Sequence, residues 1–161
     1  MRTTDEIVAR IKEVAKEEFF GFESSDLIMV LPWDEAKKFL KEESHEEEKK
    51  KWRTSPPTDD EIRAEAIDYL DFAFGKAINH RGLSAGRSVS HLRAWCWLLG
   101  EDELVAFIDD EDNYPNYGAP ILKKVAEHWG VDVPDNPTFQ AMARGDKCPS
   151  CQSGDSGGCG E

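Results

Sequence analysis

Apolar side chains recur at a spacing of three or four residues along most of this chain, a period that only helices can bury on one side. The clearest stripe runs through Ile62, Ala66, Ile67, Leu70, Ala73, Phe74, Ala77 and Ile78, and a second through Val89, Leu92, Trp95, Cys96 and Leu99. Pro56-Pro57 breaks the chain ahead of the first, Thr58 and Glu61 form a capping box, Gly82 stops it, and Gly100 closes the second. Ser84 or Ser88 is the expected cap of the second helix. The connection is short, so the two helices are expected to pack as an antiparallel hairpin at the centre of the fold.

The flanking segments read the same way. Thr3 and Glu6 form another capping box ahead of Ile7, Val8, Ile11, Val14, Ala15 and Phe19, and Gly21 ends that helix. Ser25-Asp26 is placed to cap a short segment over 27–31, where strand is the alternative but no partner strand is evident, and Pro32 stops it. From Trp33 a further helix is expected through Ala36, Phe39 and Leu40 into 41–51, where Glu46 with Lys50 and Glu47 with Lys51 stand four apart. A short helix follows from Glu101 to about Ile108, and Asn116 is expected to open a last one with Ile121, Leu122, Val125, Ala126 and Trp129, closed by Gly130. The expectation is an all-α, single-domain bundle of about five to seven helices over 1–130, followed by a loose Pro-, Gly- and Ser-containing tail over 131–161.

Charge restricts the function. Twenty bases against 33 acids leave a formal net charge of −13 over 161 residues, which repels nucleic acid and anionic membrane and excludes both as direct partners. No apolar run reaches the roughly 20 residues that span a bilayer, and the first residues lack a basic-then-apolar leader, so a cytoplasmic location is expected. The acidity itself has two readings: solubility, or imitation of a nucleic-acid backbone toward a basic protein.

The acids are unevenly placed. Between Phe72 and Gly100 there is no Asp or Glu, so Lys76, Arg81, Arg87 and Arg93 make that window +4 while the rest of the chain is −17. The hairpin loop would present His80, Arg81, Ser84, Arg87 and Ser88 at the start of the second helix, with His91 four residues after Arg87 and Arg93 close behind. Guanidinium forks, unsatisfied backbone donors and the helix dipole suit a phosphate or carboxylate, and Gly82 and Gly86 would let the backbone approach it. The P-loop layout is absent. The competing reading is that these arginines pair internally with acids of neighbouring helices. Trp95 and Trp97 cannot both face fully inward, and whichever faces out is a candidate contact.

At the C-terminal end Cys148, Cys151 and Cys159 present a CxxC and a third thiol, and His128 is a candidate fourth ligand for zinc. The second CxxC of a zinc ribbon is missing, so a reduced tail is the alternative. Templates for catalysis fail: there is no nucleophile elbow or HExxH, and a calcium loop starting at Asp109 would need glycine where Tyr114 stands. No general acid and base stand out, and the chain reads as non-enzymatic.

The stretch from Asn79-His80-Arg81-Gly82-Leu83-Ser84-Ala85-Gly86-Arg87-Ser88 through Leu92-Arg93-Ala94-Trp95-Cys96-Trp97-Leu98-Leu99-Gly100 to Asn116-Tyr117-Gly118-Ala119-Pro120-Ile121-Leu122 resembles a group of small acidic proteins found in bacterial and phage-derived sequence. The resemblance covers most of 60–130 plus Leu31-Pro32-Trp33 and implies a phage or prophage accessory protein; it brings no activity. The expectation is an acidic binding protein that engages a host protein, with an anion-binding protein or enzyme centred on Arg81 and Arg87 as the alternative.

Overall fold

The computed structural model describes residues 1–16, 22–79, 82–114 and 116–146, with the side chains of residues 22 and 82–85 excepted. Among these residues every regular element is helical: α1 (Thr4–Val14), α2 (Phe22–Met29), α3 (Trp33–Ala36), α4 (His45–Lys51), α5 (Asp59–Ile78), α6 (Gly82–Leu98), α7 (Asp102–Asp109), α8 (Ala119–Trp129) and α9 (Pro137–Ala143), with three 3₁₀ turns. The all-α class holds; the excess over five to seven helices comes from the short pieces α3, α4 and α9.

Both capping boxes form. Thr3 Oγ1 accepts from the Glu6 N–H at 3.3 Å while Glu6 Oε2 accepts from the Thr3 N–H at 2.7 Å, and Thr58 and Glu61 repeat the pattern at 3.2 and 2.9 Å. The box at Thr3 starts a helix that buries Ile7, Ile11 and Val14, and the box at Thr58 starts α5, which buries Ile62, Ala66, Leu70, Ala73, Phe74 and Ala77.

The hairpin of α5 and α6 is central, and α6 also packs against α2 and α7. It is buried on two sides. Val89, Leu92 and Cys96 join Phe74, Leu122, Phe139 and Met142 in one cluster, while Ala94 and Leu98 join Ile7, Ile11, Leu27 and Ile62 in another; Trp95 touches both. The N-terminus closes the second cluster: the Arg2 backbone N–H donates to the Leu98 carbonyl at 2.9 Å, its Nε donates to the Trp97 carbonyl, and its guanidinium sits 4.9 Å from the Trp97 ring centre and pairs with Asp102.

Several local expectations are corrected. The segment from Trp33 to Lys51 is not one helix but α3, two 3₁₀ turns and α4. No residue of α4 is buried, so nothing rewards straight continuation; instead Trp33 packs edge-on to His45 and Trp52, and Trp52 Nε1 donates to the Leu31 carbonyl at 2.9 Å. Ser25 and Asp26 lie inside α2 rather than capping it. Ser84 and Ser88 are inside α6, which begins at Gly82, and Ser88 is fully buried. Asn116 does not open α8: Asn116, Tyr117 and Gly118 are consecutive left-handed residues, and a Cβ on Gly118 would stand 2.8 Å from Val89 Cγ2.

The largest correction concerns 131–146, the described part of the expected tail 131–161. Asn136 caps α9 by accepting from the Phe139 N–H at 3.0 Å, and Phe139 and Met142 are fully buried, with the Phe139 ring meeting Phe74 edge-on at 5.2 Å. Burying such a ring contributes about 2–3 kcal/mol, so the folded domain extends through α9. Asn116 Nδ2 ties this end down by donating to the carbonyls of Met142 and Asp146. Residues 147–161 lie outside the described residues.

Candidate functional site

The bases of the acid-free window were the first candidates, and the geometry gives them different fates. Arg93 leaves the inner part of α6 and is gripped from two sides. Its Nη1 donates to Glu23 Oε1 of α2 at 2.6 Å, while its Nε and Nη2 donate to the two carboxylate oxygens of Asp109 of α7 at 2.6 and 2.8 Å. Arg10 of α1 reaches the same Glu23 oxygen at 3.0 Å and Glu13 at 3.3 Å. The result is a chain of charges, Arg10–Glu23–Arg93–Asp109, that links four helices. Glu23 is only 8% exposed and would be costly to bury without these two guanidinium groups. The fork on Asp109, reinforced by Glu23 and opposed by burial, holds the Arg93 proton more tightly than usual.

His91 is also engaged: its Nδ1 donates to Asp26 of α2, its ring stacks on Trp95 at 5.8 Å, and Tyr69 of α5 meets it edge-on at 5.2 Å. Trp95 and Trp97 are both half-buried, so neither is the outward contact; Trp95 lies in the aromatic group and Trp97 under Arg2. Cys96 is a buried thiol, pushed up to about 12 first by burial and then by Glu101, and is therefore unreactive in the folded protein.

Of the seven residues expected to hold an anion, Arg93 and His91 therefore face carboxylates and Ser88 is enclosed in the core. Arg87 is exposed within α6. His80, Arg81 and the Ser84 side chain lie outside the described residues. The zinc expectation falls mostly outside them too, because Cys148, Cys151 and Cys159 do. His128 is described; its Nε2 lies 3.7 Å from Glu101 Oε2, an oxygen that also accepts from Trp129 Nε1 at 2.7 Å. Among the described residues no group of three or more His, Cys, Asp or Glu is arranged to hold a metal.

The exposed features gather elsewhere, on the outer side of α5. Glu61, Glu65, Asp68, Phe72 and Lys76 recur at helical spacing opposite the buried stripe, with Asp71, Tyr69 and Gly75 beside them. Phe72 is 50% exposed although it is a large apolar side chain. Tyr69 tilts against its ring at 5.4 Å, and the Lys76 ammonium lies 4.7 Å from the ring centre. Three shallow depressions run into one another along this face: Arg53 to Ser55 with Glu61, Ala64, Glu65 and Asp68; then Glu65, Asp68, Tyr69 and Phe72; then Asp71, Phe72, Gly75, Lys76 and Asn79. Glu65 pairs with Arg53 at 2.8 Å, whereas Asp68 and Asp71 have no cationic partner among the described residues.

Gly75 is the anomaly on this face. It sits inside a helix, where glycine costs about 0.5–1 kcal/mol relative to alanine, yet an added Cβ would meet nothing within 4 Å. Nothing inside the fold calls for the missing side chain.

No protein-family model, curated protein or solved structure matches the chain. Functional assignment therefore rests on its own residues. The outer face of α5 carries its own sequence signal, the 4-3-4-4 spacing of 61, 65, 68, 72 and 76, which lies mostly ahead of the acid-free window. No helix among the described residues is long and apolar enough to cross a membrane.

Proposed function

We propose that this protein is a non-enzymatic acidic binding module that engages a basic protein surface, such as the nucleic-acid-binding face of an enzyme; the host partner and the phage or prophage setting belong to the same proposal. The observation that carries it is the segregation of charge. Arg10 and Arg93 are consumed by Glu23 and Asp109, while Asp68 and Asp71 stand exposed on the outer face of α5 without a cationic partner among the described residues. With a net charge of −13 the outward field is negative and steers cationic partners. An anion site on the hairpin gains no support from Arg93 or His91, whose charged partners are already carboxylates.

The test is capture of proteins from a lysate on the immobilised chain, followed by elution as salt rises from about 0.05 to about 0.5 M, over which the screening length falls about threefold. Retained partners are expected to leave within that gradient and to be displaced by double-stranded DNA. Retention that ignores both salt and DNA would sink the proposal.

A further inference from the structure

We infer that the outer face of α5, from Asp68 to Asn79, is the docking site, and that its occupant is a cationic amphipathic helix of another protein. The inference rests on the acidic-binding reading and assigns it a place and a partner chemistry.

Three observations converge there. Phe72 is half exposed between two depressions that it shares, so an apolar side chain from outside would gain a contact that the chain itself does not supply. Asp68 and Asp71 flank it, and neither forms an ion pair among the described residues, Lys76 resting on the ring instead, which sets the sign of the partner. Gly75 lies one helical turn beyond Asp71 and opens space that no part of the fold fills, which lets a second backbone come close to α5. The position of Lys76 over Phe72 is an internal instance of the contact expected: a cation already rests on this ring at 4.7 Å, and a partner lysine or arginine would find ring and carboxylates together.

A helix suits the face better than an extended strand. The surface is a helix flank with its own backbone groups bonded internally, so it has no donors or acceptors to pair with a strand, whereas side-chain ridges and a small residue favour helix against helix. From Asp68 to Asn79 the face is about 17 Å long, enough for about three turns of a partner helix.

The probe is a synthetic amphipathic Lys/Leu helix of about 18 residues, titrated into the ¹⁵N-labelled full chain at low salt, with oligolysine of equal charge as control. Saturable amide shifts are expected at Asp68, Tyr69, Phe72, Gly75 and Lys76, with affinity about tenfold above oligolysine. Phe72→Ala and Gly75→Leu should each lower it about tenfold, the first by removing the apolar anchor and the second by filling the approach. An added Cβ at Gly75 meets nothing and Phe72 is half exposed, so a melting point unchanged for Phe72→Ala and unchanged or raised for Gly75→Leu will show that both variants fold. Saturable binding that maps elsewhere, for instance to 109–112, or that ignores Gly75→Leu, overturns this inference and leaves the acidic-binding reading standing. Absence of saturable binding by any cationic peptide overturns both.

Discussion

Replacing Arg93 with methionine tests whether the hairpin's positive charge is structural. Methionine keeps most of the apolar stem and removes the guanidinium, so packing changes little and the loss is electrostatic. The two arms contribute unequally. Asp109 has a half-exposed side chain, 49%, so its arm contributes about 0.5 kcal/mol. The Glu23 arm is nearly enclosed, with side-chain exposures of 17% and 11%, and a charged hydrogen bond there contributes about 1.5–3 kcal/mol. Arg10 remains on Glu23 and softens the loss, which places the total near 2 kcal/mol. Urea unfolding followed by circular dichroism reads this directly, as does a fall in Tm of about 4–8 °C. A double-mutant cycle with Glu23→Gln should return a coupling of about 1–2 kcal/mol. A loss below about 0.5 kcal/mol with no coupling would refute the reasoning. It would also return Arg93 to the pool of groups available for an anion.

Three further outcomes are expected. Gly75→Ala should stabilise the free protein by about 0.5–1 kcal/mol in the same urea assay, because helix propensity improves and the added methyl meets nothing. Gly118→Ala should cost about 2–4 kcal/mol, since it combines a left-handed φ of +74° with a Cβ 2.8 Å from Val89 Cγ2; an unchanged urea midpoint would contradict both contacts. In a variant with Cys148, Cys151 and Cys159 replaced by serine, Cys96 should react with a thiol reagent only at the rate of unfolding. Its folded pKa lies above the unfolded one, so between pH about 9 and about 12 the unfolded chain releases a proton that the folded chain retains, and stability falls with rising pH by up to about 1.4 kcal/mol per unit. Substituting Cys96→Ala should remove that slope.

What the sequence could disclose was local. Thr3-Glu6 and Thr58-Glu61 each carry their own cap within four residues, and the stripe of Ile62, Ala66, Leu70, Ala73 and Ala77 marks a buried face without reference to any other segment. Where tertiary contact decides, the reading failed. The Glu/Lys pairs of 46–51 argued for a continuous helix from Trp33, but no core lies beneath them, and no Glu46–Lys50 or Glu47–Lys51 ion pair forms among the described residues. In 131–146 the Pro and Gly content suggested a tail, and two apolar residues three apart, Phe139 and Met142, gave too short a pattern to outweigh it; docking against Phe74 makes the helix. The partners of Arg93 stand 16 and 70 residues away, so no local pattern could show that its charge was spoken for.

The absence of acids from α6 now has a physical cause. Asp26 and Glu23 approach this helix from α2 and Asp109 from α7, so a carboxylate among its inner positions would face others across a poorly solvated interface. At Arg93 and His91 the window is therefore a receptor for the protein's own acids, and compensating these acids internally leaves the excess negative charge on the outside, with α5 presenting part of it around Phe72. The two roles are separable. Arg93→Met should loosen the joints of α6 with α2 and α7 while leaving Asp68, Phe72 and Gly75 on an intact α5, so affinity for a cationic helix should persist up to the lowered melting point. Loss of binding well below that temperature would mean that the face of α5 depends on the charge chain, and that binding and fold share one electrostatic design.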